Sequence, residues 1–350
     1  MNRTGILKDD RFMEHNMGPY HPESPKRLEA IYAMLEDPDI RNKFHTVPAR
    51  FAERHELLWI HSASYIDRLE DTRGKEYTYL DPDTQTSAGS YDAALLAAGG
   101  LCEAISMVCS GELDNAFALV RPPGHHSEQS RAMGFCILNN IAIGARFAQK
   151  ECKLKKILIA DWDLHHGNGT QHSFEDDSSV LYFSTHQYPY YPGSGANNEI
   201  GKGEGKGFTV NVPLSTGYGD GEFISIYESI LRSVGTAYNP DIILVSAGFD
   251  IHADDPLGGM RVTPKGFAGL TRSIMDIASA CCNGRLVITL EGGYDLKGLK
   301  ESIKEVLMEL SGLSKTDTRL LMDKADKNMV DEAIQPVKDS LRRYWPDLGS

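Results

Sequence analysis

The sequence predicts a single α/β domain built on one central, mostly parallel sheet with helices on both faces. Three observations carry this. Short β-branched or apolar runs alternate with longer segments of helical spacing through the middle and C-terminal parts of the chain. The short runs are continuously apolar rather than alternating, as strands buried on both faces are. No stretch is long or polar enough to cut the 350 residues in two, and α/β chains of this length often form one domain.

The elements follow in order. Strand-like runs occupy residues 116–120, 157–160, 180–184, 208–212, 242–247 and 286–290. Helical spacing covers 91–109, 139–150, 222–238, 264–282 and 296–310. The glycine-rich stretch 192–207 reads as a loop, and without a G-x-G-x-x-G spacing it supports no dinucleotide site. The whole of 1–350 is taken as one domain, with a core at about 15–312 and a helical tail at 313–350 packed back on it.

A formal net charge of −13 disfavours a nucleic-acid partner and favours a cationic substrate. No run of eighteen apolar residues appears, so no membrane span is expected, and the charged start MNRTGILKDDRF has no apolar signal core. A cytoplasmic protein is the expectation. Cys102, Cys109, Cys136, Cys152, Cys281 and Cys282 form no C-x-x-C pair and read as reduced thiols.

In open parallel sheets, ligands bind beyond the carboxyl ends of the strands. The residues just after each run are therefore the ones to read. They are Arg121-Pro-Pro-Gly-His125-His126, Asp161-Trp-Asp163-Leu-His165-His166-Gly-Asn168, Thr185-His186, Gly248-Phe249-Asp250 and Glu291-Gly-Gly-Tyr294. Taken singly, each Asp reads equally well as a turn or cap residue and each His as a packing accident. Gathered at one sheet edge they read as a site. Asp161, Asp163 and His165 are spaced by two, which turns them to one side of the chain. Asp163 and His165 can supply two ligands to a catalytic divalent metal and Asp250 a third, with a position open for water. No thiol lies near this cluster in sequence, which puts zinc first, with iron(II) and manganese as competitors. Glu291 reads as a turn residue, and His15, His21, His45, His55 and His61 are given structural roles.

With these residues in place the chain resembles the histone deacetylase family, in the branch that includes acetylpolyamine amidohydrolases. The resemblance runs from His21-Pro-Glu-Ser-Pro-Lys-Arg27 to Tyr294. RPPGHH, GFCILNN, DWDLHHGNGTQ, STHQ, SAGFD, DDPLGG and LEGGY occur in the family's order, with RPPGHH and HHGNG of the class II type. The resemblance implies an arginase-deacetylase fold with about eight strands. It implies a zinc-dependent amidohydrolase that removes acetyl or other acyl groups from lysine side chains with a metal-activated water. Asp163, His165 and Asp250 match the zinc ligands, and His125 and His126 the tandem catalytic histidines. Asp161 matches the carboxylate that orients His125, and Tyr294 the tyrosine that hydrogen-bonds the substrate carbonyl. Gly134 and Phe135 match one tunnel wall, and Tyr191 stands where the family usually has the facing Phe. Asp83 aligns with a rim aspartate and Arg27 with an arginine at the tunnel's inner end. Ser184 and Thr185, with Asp161, Asp163 and His165, match a structural potassium site.

Asn168 stands where class I members carry an Asp beside His126, so His126 should be less basic here. Polyamine-selective members can carry a Glu after the Asp-Pro of the DDPLGG-like segment. Leu257 is found there, which favours an acylated lysine in a protein or peptide over an acetylated polyamine. A guanidine hydrolase with two manganese ions would need more Asp ligands. A weakly catalytic acyl-lysine-binding scaffold is disfavoured by the presence of Tyr294. The oligomeric state is left open.

Overall fold

A computed structural model describes residues 2–348. The first part of the chain carries β1 (Thr4–Leu7), α1 (Lys26–Met34), β2 (His45–Thr46), α2 (Arg54–Leu57) and α3 (Ala63–Glu70). A hairpin of β3 (Thr78–Asp81) and β4 (Thr84–Thr86) precedes α4 (Ser90–Cys109). Then come β5 (Asn115–Ala118), α5 (Asn140–Lys150), β6 (Ile157–Asp161), α6 (Asn168–Phe174), β7 (Val180–Gln187) and β8 (Thr209–Leu214). The helices α7 (Asp220–Ile226) and α8 (Arg232–Tyr238) are joined by a π turn at Tyr227–Leu231, so the segment expected as one helix at 222–238 is continuous but wound differently in its middle. The chain closes with β9 (Ile242–Ala247), α9 (Pro264–Cys281), β10 (Leu286–Leu290), α10 (Leu296–Ser311), α11 (Thr318–Met322) and α12 (Lys327–Leu341).

Eight strands form one sheet in the order β2-β1-β5-β10-β9-β6-β7-β8, and every neighbouring pair in it is parallel. Strand β5 packs against α4 and α10, and β9 against α5 and α9, so helices cover both faces. That explains the unbroken apolar strands: every residue of β5, β6, β7, β9 and β10 is buried. Helix α4 is long and apolar enough by composition to cross a membrane, yet 78% of its apolar window lies inside the protein. Local signals set the helix ends. Asn139 caps α5 by accepting from the Ala142 amide, Asp295 caps α10 through the Gly298 amide, and Gly312 ends α10 at φ 73°.

The sheet also takes in β1, upstream of the core limit drawn from sequence at about residue 15. Four residues with a glycine among them give no periodic signal, and the strand is defined by its pairing with β5. Helix α12 packs along the edge strand β8, and Trp345 Nε1 donates to Gly207 O at 2.7 Å, which ties the tail down.

Candidate active site

The four central strands of the sheet, β5-β10-β9-β6, lie side by side. Each feeds one part of a common site from its carboxyl end. After β6 the chain runs through two successive Asx turns: Asp161 Oδ1 accepts from the Asp163 amide at 3.1 Å, and Asp163 Oδ1 from the His165 amide at 2.9 Å. These turns direct Asp161, Asp163 and His165 to different tasks. Asp163 and His165 meet Asp250 from β9, and one ligand atom from each lies within 4.8 Å of the others. His165 Nδ1 stands 3.1 Å from Asp163 Oδ1 and 3.3 Å from Asp250 Oδ2. Asp161 stays out of this group and turns to His125.

Two buried carboxylates and one imidazole suit a divalent cation. Among the described residues, buried Asp250 Oδ2 makes no well-formed hydrogen bond and has only the His165 ring nitrogen near it, the state expected of an atom kept for a cation. Burial and the neighbouring Asp163 push the Asp250 carboxyl up to about 7, so this pair of like charges needs a positive partner. Gly292 completes the cradle. Its amide donates to Asp163 Oδ2 at 2.9 Å, and a Cβ there would run into the Asp250 and Asp163 carboxylates. The residues thus fit a single metal ion.

The paired histidines follow β5, with ring centroids 4.1 Å apart. Asp161 Oδ2 accepts from His125 Nδ1 at 3.1 Å and from the Tyr182 hydroxyl at 3.0 Å. Burial opposes charge on His125, but the carboxylates of Asp163, Asp161 and Glu291 outweigh it and lift its pKa to about 10. His126 pairs through Nδ1 with Asn168 Oδ1 at 2.8 Å. Burial first, and then the positive charge of the adjacent His125, hold it well below the ordinary histidine value. The two rings thus differ in their partners, His125 facing the Asp161 carboxylate and His126 the uncharged Asn168 amide.

Tyr294 follows β10. Its amide donates to Asp255 Oδ2 at 2.6 Å, and the Asp295 amide to the same oxygen at 3.1 Å. Arg27, fully buried, donates to Gly293 O at 2.7 Å and Glu291 O at 2.6 Å, and its guanidinium lies 5.2 Å from the Tyr294 ring centre. Arg27 thus braces the turn behind Tyr294 and is not among the residues lining the cavity.

Above the metal group opens a slot of about 80 Å³, lined among others by His126, Phe135, Tyr191, Leu257 and Tyr294. Gly134 and Phe135 have φ of 56° and 67°, a left-handed pair that turns the Phe135 ring inward. The β3–β4 turn pins it: the Gly134 amide donates to Asp83 Oδ1 at 3.2 Å and the Phe135 amide to Thr84 Oγ1 at 3.0 Å. Burial and Asp81 raise the Asp83 carboxyl to about 6. On the facing wall Tyr191 meets the His126 ring edge-on at 5.2 Å, and Tyr190 stacks on His165 at 5.6 Å. A Cβ on Gly134 would strike the His126 ring at a backbone angle that L residues avoid. Gly134→Ala should therefore fold and keep its metal yet lose roughly 10²-fold in kcat/KM, the scale of a misplaced catalytic group; metal content and turnover check it together.

Ser184 lies beside Asp161 in the β6–β7 register, its hydroxyl 2.9 Å from His186 Nδ1, and Thr185 Oγ1 stands 3.4 Å from the Tyr227 hydroxyl. His21 packs on the site from outside the slot. Its ring meets Phe135 edge-on at 4.6 Å and backs the tunnel wall. Glu291 departs from its reading as a turn residue. Its carboxylate accepts from the Gly124 and His125 amides at 2.7 and 3.2 Å and from the Ser246 hydroxyl at 2.9 Å, so it anchors the histidine loop. Asp255 and Tyr190 belong to the site without having been singled out. An Asp in a turn and a Tyr in a Pro-rich loop carry no spacing that marks them. Cys136 also lines the slot, a thiol near the metal group that sequence distance concealed.

The histone deacetylase domain profile matches residues 21–310. The chain is 39% identical to "Histone deacetylase 15" of Arabidopsis thaliana over 99% of its own length and 63% of that protein. It is 37% identical to a "Probable deacetylase" of Archaeoglobus fulgidus, covering 98% of each chain. It thus spans under two thirds of the plant relative and nearly all of the archaeal one. The crystal structure of the HDA15 HD domain superposes with a TM-score of 0.91 at 37% identity, over 99% of this chain and 96% of that one. A matched profile, a full-length relative and a shared arrangement of strands all agree with the motif order, and the chain belongs to the histone deacetylase family.

Proposed function

We propose that this protein is a zinc-dependent amidohydrolase that removes acetyl or another acyl group from lysine side chains. One observation carries the reading: a neutral base, a phenol and a three-residue metal group converge at the floor of a narrow aromatic slot. A zinc ion held by Asp163, His165 and Asp250 would polarise the amide carbonyl and acidify water. The Tyr294 phenol is held neutral by burial and donates a hydrogen bond to the carbonyl oxygen as negative charge develops there. His126 accepts the proton of the attacking water and returns one to the departing amine. His125, kept cationic against Asp161, stabilises the negative charge without moving a proton. The rings of Phe135 and Tyr191 flank the apolar stem of the lysine, and Asp83 at the rim can accept from the substrate backbone. The same reading includes a structural potassium ion beside Asp161, Asp163, His165, Ser184 and Thr185, supported by the pairing of Ser184 with Asp161 across β6 and β7.

The test is metal-reconstituted protein assayed side by side on acetyl-lysine peptides, longer acyl-lysine peptides and N-acetylputrescine. A second reading, hydrolysis of acetylated polyamines, is favoured by the acidic balance of the chain and by Asp83 in the slot lining. Leu257 supports the lysine reading. It lines the slot, and its carbonyl accepts from the Tyr190 hydroxyl at 2.9 Å. An apolar side chain there offers a second ammonium nothing. Acetyl-lysine peptides should have the higher kcat/KM, and Leu257→Glu should shift the ratio toward polyamines by up to about fivefold, the worth of one partly exposed ion pair. Wild-type protein that prefers the polyamine would overturn the lysine reading.

A further inference from the structure

Behind His126 lies a carboxylate that the reaction as described does not use. Asn168, the first residue of α6, accepts from His126 Nδ1 through Oδ1 at 2.8 Å and donates from Nδ2 to Glu128 Oε1 at 2.5 Å. Glu128 is held on its far side by His172 Nδ1, 2.9 Å from Oε1 and 3.1 Å from Oε2, and its amide donates to Arg131 O at 2.9 Å. His126 and Asn168 are buried, Glu128 is half-buried, and His172 reaches the surface. Burial would raise the Glu128 carboxyl, but His172, Asn168 and Arg131 outweigh it and keep it below its usual range.

An amide side chain beside a histidine is ambiguous by itself. It can present its oxygen, and then the facing ring nitrogen must carry the hydrogen, or its NH₂, and then that nitrogen must hold the lone pair. An ionised carboxylate is only an acceptor. Glu128 settles the orientation most strongly: at 2.5 Å it is the nearer acceptor of the Asn168 NH₂, ahead of His126 O at 3.4 Å, and the Asn168 oxygen is left to face His126 Nδ1. The hydrogen of neutral His126 is thereby confined to Nδ1, and the lone pair to Nε2 on the opposite edge of the ring.

We propose that Glu128 is a positioning residue which, through Asn168, fixes His126 in the tautomer whose Nε2 can accept a proton from water. The proposal rests on the acyl-amide hydrolysis put forward above. Asn168 lacks the charge of the carboxylate that class I relatives place beside this histidine. Glu128 sets its orientation from one residue further out and leaves His126 weakly basic.

Glu128→Gln keeps the shape but offers Asn168 either a donor or an acceptor. Its kcat should fall by about tenfold or more, within the ~10²–10⁴ that a general base supplies, with KM changed by less than about twofold and metal content unaltered. Asn168→Asp sets a second carboxylate against Glu128 and should also be impaired. In Asn168→Asp/Glu128→Gln the introduced glutamine can donate to the introduced carboxylate, which accepts directly from His126. This double variant should be about fivefold or more faster than either single one, a coupling larger than independent sites show. The second readout needs no turnover. In ¹⁵N-histidine spectra of the zinc-loaded protein, His126 should be an Nδ1–H tautomer in the wild type and a mixture in Glu128→Gln. Wild-type kcat in Glu128→Gln, a double variant no better than the worse single one, or an unchanged tautomer would each overturn the proposal. If the wild type hydrolyses no acyl-amine, the functional reading fails, and the tautomer spectra still decide what Glu128 does.

Discussion

Tyr294→Phe is expected to fold, hold its metal and bind substrate normally, yet lose roughly 10²-fold or more in kcat, the usual cost of one oxyanion donor. The ring stays in place because its surroundings do not depend on the hydroxyl. It meets Phe135 edge-on at 6.0 Å, Arg27 stands over its face, and its amide is fixed by Asp255. What disappears is the donor. A phenol whose pKa burial has raised further stays protonated at neutral pH and can serve a carbonyl oxygen gaining charge. Because that charge is small in the ground state, KM should change little and the loss should fall on kcat. Near wild-type turnover in the variant would remove Tyr294 from the reaction. A wild type that binds acetyl-lysine peptide but turns over no acyl-amine would make the protein a scaffold.

Asp250→Ala should cost more still. The substitution deletes one of three converging ligand groups and leaves Asp163 and His165 to hold the ion. Loss of a residue that merely orients a ligand typically costs ~10–100-fold in metal affinity or activity, so loss of the ligand itself should exceed that range. Metal analysis after dialysis should find the wild type loaded and the variant empty, and zinc should raise Tm in the wild type alone. The fold should survive, because the carboxylate contributes one hydrogen bond to the protein, from the Leu164 amide at 2.9 Å. A variant that retains zinc as well as the wild type would show the ligand assignment to be wrong.

Most of the sheet could be read from the chain. The runs at 242–247 and 286–290 match β9 and β10 to the residue. A strand buried on both faces must be apolar throughout, and that pattern is local. Two strands on one side escaped: β2 has two exposed residues, and β1, though buried, has only four residues with a glycine among them. The site was legible wherever an unusual residue type follows a strand, as with His125, His126, Asp163, His165, Asp250 and Tyr294. It was illegible where the residue type is ordinary and only its partner is special. Glu291 passes for a turn residue until its carboxylate is seen to bridge the β5 loop and Ser246. His21 looks remote until it meets Phe135.

The sequence by itself determined the alternation of strands and helices, the burial of both sheet faces and the chemistry carried past each strand end. Only the tertiary structure decided that β5, β10, β9 and β6 stand next to one another, out of chain order, so that four loops meet over one slot. Backbone hydrogen bonds between parallel strands carry no side-chain identity. Strand neighbours are therefore set by long-range packing, with α4 and α10 against β5 and α5 and α9 against β9. That long-range outcome also parts Asp161 from Asp163 and His165. Their spacing alone treats them alike, but the neighbouring loops bring the first to His125 and gather the other two with Asp250 into the candidate metal group.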